Sequence, residues 1–165
     1  MRKLYVSIGR RAFMENSVGA VLIGAGLAPT AALAQETRVY DLAISRDAGC
    51  GCCHAWATLM LRSGRFRTTL TDESNMAALK RRLGVPNDLA SCHTGGVDGY
   101  AIEGHVPVED VLRLLRERPA RIRGLAVPGM PRGSPGMEAP DGGRDPFTVY
   151  AFEAGGARRS FTTHR

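Results

Sequence analysis

Cys50-Gly51-Cys52-Cys53-His54 lies between an alternating segment and a helical one, and that position decides the fold. Upstream, Arg38 to Ser45 places Tyr40, Leu42 and Ile44 on one side of a period-two pattern, which predicts a strand. Downstream, Cys53, Trp56, Ala57 and Met60 follow helical spacing, and Gly64 is placed to stop the helix. A strand running into Cys-x-x-Cys at a helix start is a thioredoxin-like arrangement, with Cys50 and Cys53 in the two redox positions. At a helix N-terminus the unpaired amide groups and the macrodipole favour negative charge, so a thiolate forms more easily there. Three cysteines within four residues also suit metal binding, and a plainer alternative is a disulfide staple beside a buried thiol.

The remaining pattern extends the same architecture. Phe66 to Thr71 reads as a second strand, and Asp72 or Ser74 is placed to cap a helix carrying Met76, Leu79 and Leu83. Gly84-Val85-Pro86 ends that helix. A loop follows with Ser91-Cys92-His93-Thr94-Gly95-Gly96, then a third strand over Tyr100 to Val106 with His105 at its end. Pro107 suits the first turn of another helix, whose Val108, Val111, Leu112 and Leu115 form an apolar stripe up to Arg118-Pro119. Residues 124–146 are dense in Gly and Pro and contain a short repeat, Pro128-Gly129-Met130 and Pro135-Gly136-Met137. A methionine is ordinarily core filler, but these two lack periodic apolar neighbours, which suggests a ligand or lid role. Phe147 to Phe152 and Arg158 to Thr162 predict a closing hairpin across Ala154-Gly155-Gly156. The fold class is therefore α/β, a thioredoxin-like mixed sheet flanked by helices, with a Pro/Gly-rich loop and a closing β-hairpin.

The N-terminus reads as a secretory signal over residues 1–34, leaving one domain over residues 35–165. Arg2, Lys3, Arg10 and Arg11 form a basic region, Val18 to Leu27 is a short apolar run, and Ala32-Leu33-Ala34 precedes Gln35 as a cleavage signature. Gly9-Arg10-Arg11-Ala12-Phe13-Met14 also has the look of a twin-arginine signal. The apolar run is too short and too rich in Gly and Ala to span a bilayer, so no membrane span is expected after cleavage. Half of the formal charge of +6 belongs to this segment. The rest of the chain has no Lys/Arg stripe interleaved with aromatic residues, which argues against a nucleic-acid partner. Export fixes an oxidising environment, in which vicinal thiols become disulfides unless reduced or metallated.

In a thioredoxin-like topology the loop before the third strand lies against the first helix's N-terminus. Cys92 and His93 would then face the cysteine cluster, and the Met130/Met137 loop would fold over it. Thiolate and thioether donors favour Cu(I), whereas hard cations need oxygen donors that this segment lacks. Zinc accepts Cys and His, but Met is not among its usual ligands. Bridging thiolates would let several Cu(I) ions share the site as a multinuclear cluster.

A larger motif set then carries a resemblance. It comprises Cys50-Gly51-Cys52-Cys53 with Trp56, Ser91-Cys92-His93-Thr94, Val97-Asp98-Gly99-Tyr100, Glu103-Gly104-His105-Val106-Pro107, and Gly124 to Pro131 with Gly133 to Glu138. Over nearly all of residues 38–152 the chain resembles the small exported metal-binding family of CopG-type copper-resistance proteins, which are not the DNA-binding repressors of that name. The resemblance implies a thioredoxin-like periplasmic protein that binds copper, serves copper tolerance and changes copper's oxidation state. Carried over by position, it implies Cys50, Cys52, Cys53 and Cys92 as thiolate ligands, with His93, His105, Met130 and Met137 as outer donors. Partners would be copper ions and other exported copper-handling proteins. For His105, a hydrogen bond to a loop carbonyl is the alternative reading. His54 points away from Cys53 along the helix, and His164 near the chain end reads as solvated. The competing function is thiol-disulfide exchange through Cys50 and Cys53. Against it, the loop expected to face the pair holds Cys92-His93-Thr94, where ordinary thioredoxins have a proline.

Overall fold

In the computed structural model the described residues are 38–165, and the segment read as an export signal lies outside them. The first strand, β1 (Tyr40–Arg46), buries Tyr40, Leu42 and Ile44 and exposes Asp41 and Ala43, the alternation expected of a pleated strand. A turn closed by the Cys50 amide donating to the Asp47 carbonyl leads into α1 (Gly51–Arg62). Cys53, Trp56, Ala57 and Met60 form its buried stripe, as their spacing predicts. Strand β2 (Phe66–Asp72) then pairs parallel to β1, and α2 (Met76–Arg82) follows.

Two strands appear where the sequence suggested loop. Residues His93–Val97 form the first of these, β3, antiparallel to β1, and a turn at Asp98-Gly99 returns the chain as β4 (Tyr100–Glu103), the strand expected over Tyr100 to Val106, which stops short of His105. Gly95-Gly96 reads as a chain breaker, yet at Gly95 the missing side chain lets the interior close on the strand. A Cβ at Gly95 would stand 3.0 Å from Leu42 Cδ1 and 3.6 Å from the Trp56 ring. After α3 (Val108–Glu117), Ile122–Ala126 forms β5 parallel to β4, inside the stretch expected to be Pro/Gly loop from residue 124. The hairpin of β6 (Phe147–Glu153) and β7 (Arg158–His164) closes the chain as expected.

The seven strands form one sheet in the order β2-β1-β3-β4-β5-β6-β7. Its first four strands, with the three helices in sequence between and after them, form the thioredoxin-like unit, and β5 to β7 extend it. Neighbouring residues on β4 feed different apolar clusters: Ile102 joins Leu42, Trp56, Met60, Leu114 and Leu125, while Ala101 joins Val85, Leu89, Ala126 and Phe152. The sheet is therefore buried on both faces, because successive side chains point opposite ways. The helix cap also differs from expectation. Asn75, directly before α2, accepts the Ala78 amide through Oδ1 at 2.9 Å, whereas Asp72 is the last residue of β2 and pairs with Arg46.

The Pro/Gly loop is ordered by its own turns. The Ser134 amide donates to the Pro131 carbonyl, that of Met137 to Ser134, and that of Gly133 to Met137. Gly136, at φ +84°, brings this loop onto the start of α1, where a Cβ would meet the Trp56 amide nitrogen at 2.8 Å. Gly136→Ala therefore forces both a left-handed backbone and a close contact, and should cost about 1–3 kcal/mol in a chemical denaturation titration of the metal-free protein.

Candidate metal centre

Cys50 is the N-terminal boundary residue of α1, and its side chain caps none of the helix amides. No acidic residue occupies the first turn, so the positive end of the helix faces the sulfurs without a competing carboxylate. Arg46 holds this entry in place, donating from Nη1 to the Cys50 carbonyl at 2.7 Å and from Nε to Asp72 at 2.9 Å. Register does the rest. Arg46 at the end of β1 is paired with His93 at the start of β3, so Cys92 emerges beside the Cys50 turn.

The sulfurs converge as the thioredoxin-like reading expects. The Sγ atoms of Cys50, Cys52, Cys53 and Cys92 all lie within 4.8 Å of one another. Cys50 and Cys53 are joined as a disulfide, whereas Cys52 and Cys92 are free thiols. Cys52 Sγ sits centrally, 3.5 Å from Cys50 Sγ and 3.9 Å from both Cys92 Sγ and Met130 Sδ. Cys53 is fully buried, and Cys50, Cys52 and Cys92 are half-buried. In this state two thiols are available; reduction of the disulfide makes four.

Two imidazoles complete a second face around Cys92. His105 Nε2 is 3.2 Å and His93 Nδ1 3.4 Å from Cys92 Sγ, and the three residues could hold one ion between them. His105 also makes the loop-carbonyl bond that was its alternative reading, from Nδ1 to the Pro135 oxygen at 2.7 Å. Proton placement on Nδ1 leaves the Nε2 lone pair directed at the sulfur. The two readings of His105 are thus complementary. His93 packs its ring on Trp56 at 4.5 Å, and its Nε2 is buried without a hydrogen-bond partner among the described residues.

The outer candidates separate by position. Met130 is exposed and touches Cys52. Met137 is half-buried in the same loop, with its backbone closing the turns around Ser134. His54 is exposed on α1. His164 is not solvated as expected: its Nε2 lies 2.7 Å from Asp110 Oδ2 and its ring stacks on Phe147, because β7 runs to the chain end and pairs these residues.

Residues without an assigned role in the sequence reading support the site. Trp56 Nε1 donates to the Val106 carbonyl at 2.9 Å, fixing α1 beside the His105 segment. Glu103, fully buried, binds Lys80, Ser91 and Thr94 around the Cys92-His93 step. The available signal was a carboxylate at the end of the apolar run Tyr100-Ala101-Ile102, where an unpaired charge is costly.

Burial sets the protonation of the metal-free centre. It pushes the Cys92 thiol up to about 11, with the neighbouring Cys52 adding to the rise. It pushes His93 down to about 3, with the nearby His105 and Lys80 adding to the fall and the Gly104 backbone only partly opposing it. His105 is likewise lowered by burial, against the pull of Pro135 and Glu138. At neutral pH the centre therefore presents two neutral imidazoles and a protonated Cys92 thiol, which a soft metal ion would deprotonate on binding.

Residues 89–137 match the family model described as "Protein of unknown function, DUF411". No curated protein matches the chain. Two solved structures do. One, titled "Copper resistance protein copG- Form 1", is 42% identical with a TM-score of 0.70, the match covering 77% of this chain and 98% of that one. The other, titled "Copper resistance protein copG- Form 2", is 41% identical with a TM-score of 0.71, covering 78% of this chain and 100% of that one.

A lowered folded pKa gives His93 a stabilising contribution that is present above its unfolded value of about 6.5 and lost as pH falls toward 3. Between pH 7 and pH 5 the metal-free protein should lose roughly 2 kcal/mol of unfolding free energy through this residue. Urea titrations at the two pH values should show a smaller drop for His93→Gln.

Proposed function

Because the chain belongs to the CopG-type copper-resistance family, we propose that it is a copper-binding protein of the exported space that serves copper resistance. One observation carries this reading: four cysteine sulfurs from two distant segments lie within 4.8 Å of one another beside two imidazoles and a thioether. Such a donor set suits Cu(I), and thiolates able to bridge ions make a multinuclear Cu(I) cluster the natural occupant of the reduced centre. The N-terminal signal pattern supports export to the periplasm, where copper and copper-handling partners would meet the protein. Among the described residues no helix is long and apolar enough to cross a membrane.

The Cys50–Cys53 disulfide favours a redox component in the same function. Its reduction takes up two electrons and two protons, and oxidation of two Cu(I) to two Cu(II) supplies those electrons. The electrons balance within the site, and the two protons come from solvent. Exchange with protein thiols through the same pair is the second reading, favoured by Cys50 at the helix start.

Copper and free thiols measured together, on protein purified anaerobically from copper-fed cells, test the proposal. The expected result is bound copper with more than two free thiols after the metal is stripped; metal-free protein with every cysteine oxidised would refute it. Cys92→Ser should lower the copper-to-protein ratio although Cys50, Cys52 and Cys53 remain. Met130→Ala should speed Cu(I) loss to a competing chelator while leaving the melting temperature of the metal-free protein unchanged, since Met130 is 53% exposed.

A further inference from the structure

Besides the cysteines at the start of α1, three segments deliver donors to the centre: residues 91–94 with Cys92 and His93, residues 103–105 with His105, and residues 129–130 with Met130. None is a helix or strand interior at the donor itself, so their relative positions need an explanation. One side chain connects them. Glu103 Oε1 accepts the Ser91 amide at 2.6 Å and the Lys80 ammonium at 2.5 Å, and Oε2 accepts the Thr94 hydroxyl at 2.6 Å. Lys80 Nζ also reaches Thr94 Oγ1 at 3.0 Å, closing the network. The carboxylate thus grips the residue before Cys92 and the residue after His93.

Ser91 transmits the same anchor to the methionine loop. Its hydroxyl donates to the Gly129 carbonyl at 2.5 Å, and the Gly129 amide returns to the Ala90 carbonyl at 3.5 Å. Met130, adjacent to Gly129, meets Cys52. On the other side, Gly104 beside Glu103 donates its amide to the His93 carbonyl at 3.0 Å, and His105 follows.

We propose that Glu103, neutralised by Lys80 and relayed through Ser91, is the positioning residue that sets the spacing of Cys92, His105 and Met130 in the metal centre. It touches no donor atom and acts through the segments that carry them. The charge matters because a carboxylate accepts more strongly than an amide and does so from three donors at once. Fully removed from water, it is tolerable only with those donors and the Lys80 ammonium in place. The copper part of the inference rests on the function proposed above, and the geometric part does not.

The test uses Glu103→Gln in the full chain, which keeps shape and removes the charge and one acceptor. With Cys50–Cys53 closed, diamide treatment of metal-free protein should trap Cys52 to Cys92 as a disulfide, scored by peptide mapping. Glu103→Gln should trap about tenfold more slowly and, loaded with Cu(I), should lose it to bicinchoninate about tenfold faster. A folded variant matching the wild type in both rates overturns the proposal. Slowed trapping in a protein whose wild type holds no Cu(I) upholds the positioning role and overturns the copper reading instead. Where Glu103→Gln does not fold, Ser91→Ala decides, because it deletes the Gly129 bond and keeps the amide bond to Glu103. Ser91→Ala should accelerate Cu(I) loss as much as Met130→Ala, with no further gain in the double variant; additive effects, or none, overturn the relay.

Discussion

The antiparallel pairing of β1 with β3 is the constraint on which the centre depends. Its register sets Arg46 opposite His93, so the chain leaves β1 toward Cys50 at the point where Cys92 enters β3. A slip of one residue would turn every β3 side chain to the other face and carry His93 away from Trp56. Leu42, Gly95 and Trp56 resist that slip together: Leu42 Cδ1 packs 3.0 Å from where a Gly95 Cβ would stand, and the Trp56 ring lies in ordinary contact at 3.6 Å. Core packing is thus what fixes the distance between sulfurs that are 40 residues apart in sequence.

The parts of this arrangement legible in the sequence are those written in local pattern. Tyr40, Leu42 and Ile44 announce β1 by alternation, and Cys53, Trp56, Ala57 and Met60 announce α1 by helical spacing; together they place the cysteine run at a helix start. The thioredoxin-like topology then brought Cys92, His93 and the Met130/Met137 loop to that run, and the resemblance to CopG-type proteins added His105. What local pattern concealed was β3 and β5, since Gly95-Gly96 and Gly124 look like breaks to any rule based on side chains. Their smallness is a tertiary requirement: at Gly124 a Cβ would overlap the Ala101 carbonyl of the neighbouring strand. Glu103 was concealed for the same reason, because its partners Lys80, Ser91 and Thr94 lie on other elements and only the fold makes them neighbours. His164 shows the opposite error. Proximity to the chain end suggested solvent, but the last strand pairs as far as His164, opposite Phe147.

Desolvation gives the centre its chemical character. Withdrawing His93 and His105 from water keeps both imidazoles neutral, and withdrawing Cys92 keeps its thiol protonated. Neutral imidazole is the ligating form, so the two rings need lose no proton to bind, whereas Cys92 must release one. The other sulfurs sit at a helix end whose unsatisfied amides and positive dipole meet no competing carboxylate. Negative charge brought by several thiolates thus meets a positive helix terminus on one side and the ion itself on the other.

Stability and donor placement fall largely on different residues, and the energetics show why. The apolar clusters around Trp56, Leu114 and Leu125 and around Phe152 contain none of the donor residues, although Cys53, His93 and His105 are fully buried. Met130 adds little burial, being largely exposed, and the Glu103–Lys80 pair is an expensive way to fill an interior that aliphatic residues would fill at least as well. A purely apolar substitute could not hold the Ser91 amide and the Thr94 hydroxyl, since dispersion has no directional preference for either. The buried ion pair exchanges stability for direction. That exchange is sensible where soft donors from three segments must meet within bonding reach of a metal, and where a segment a fraction of an ångström out of place would leave Cys92 a buried, protonated thiol.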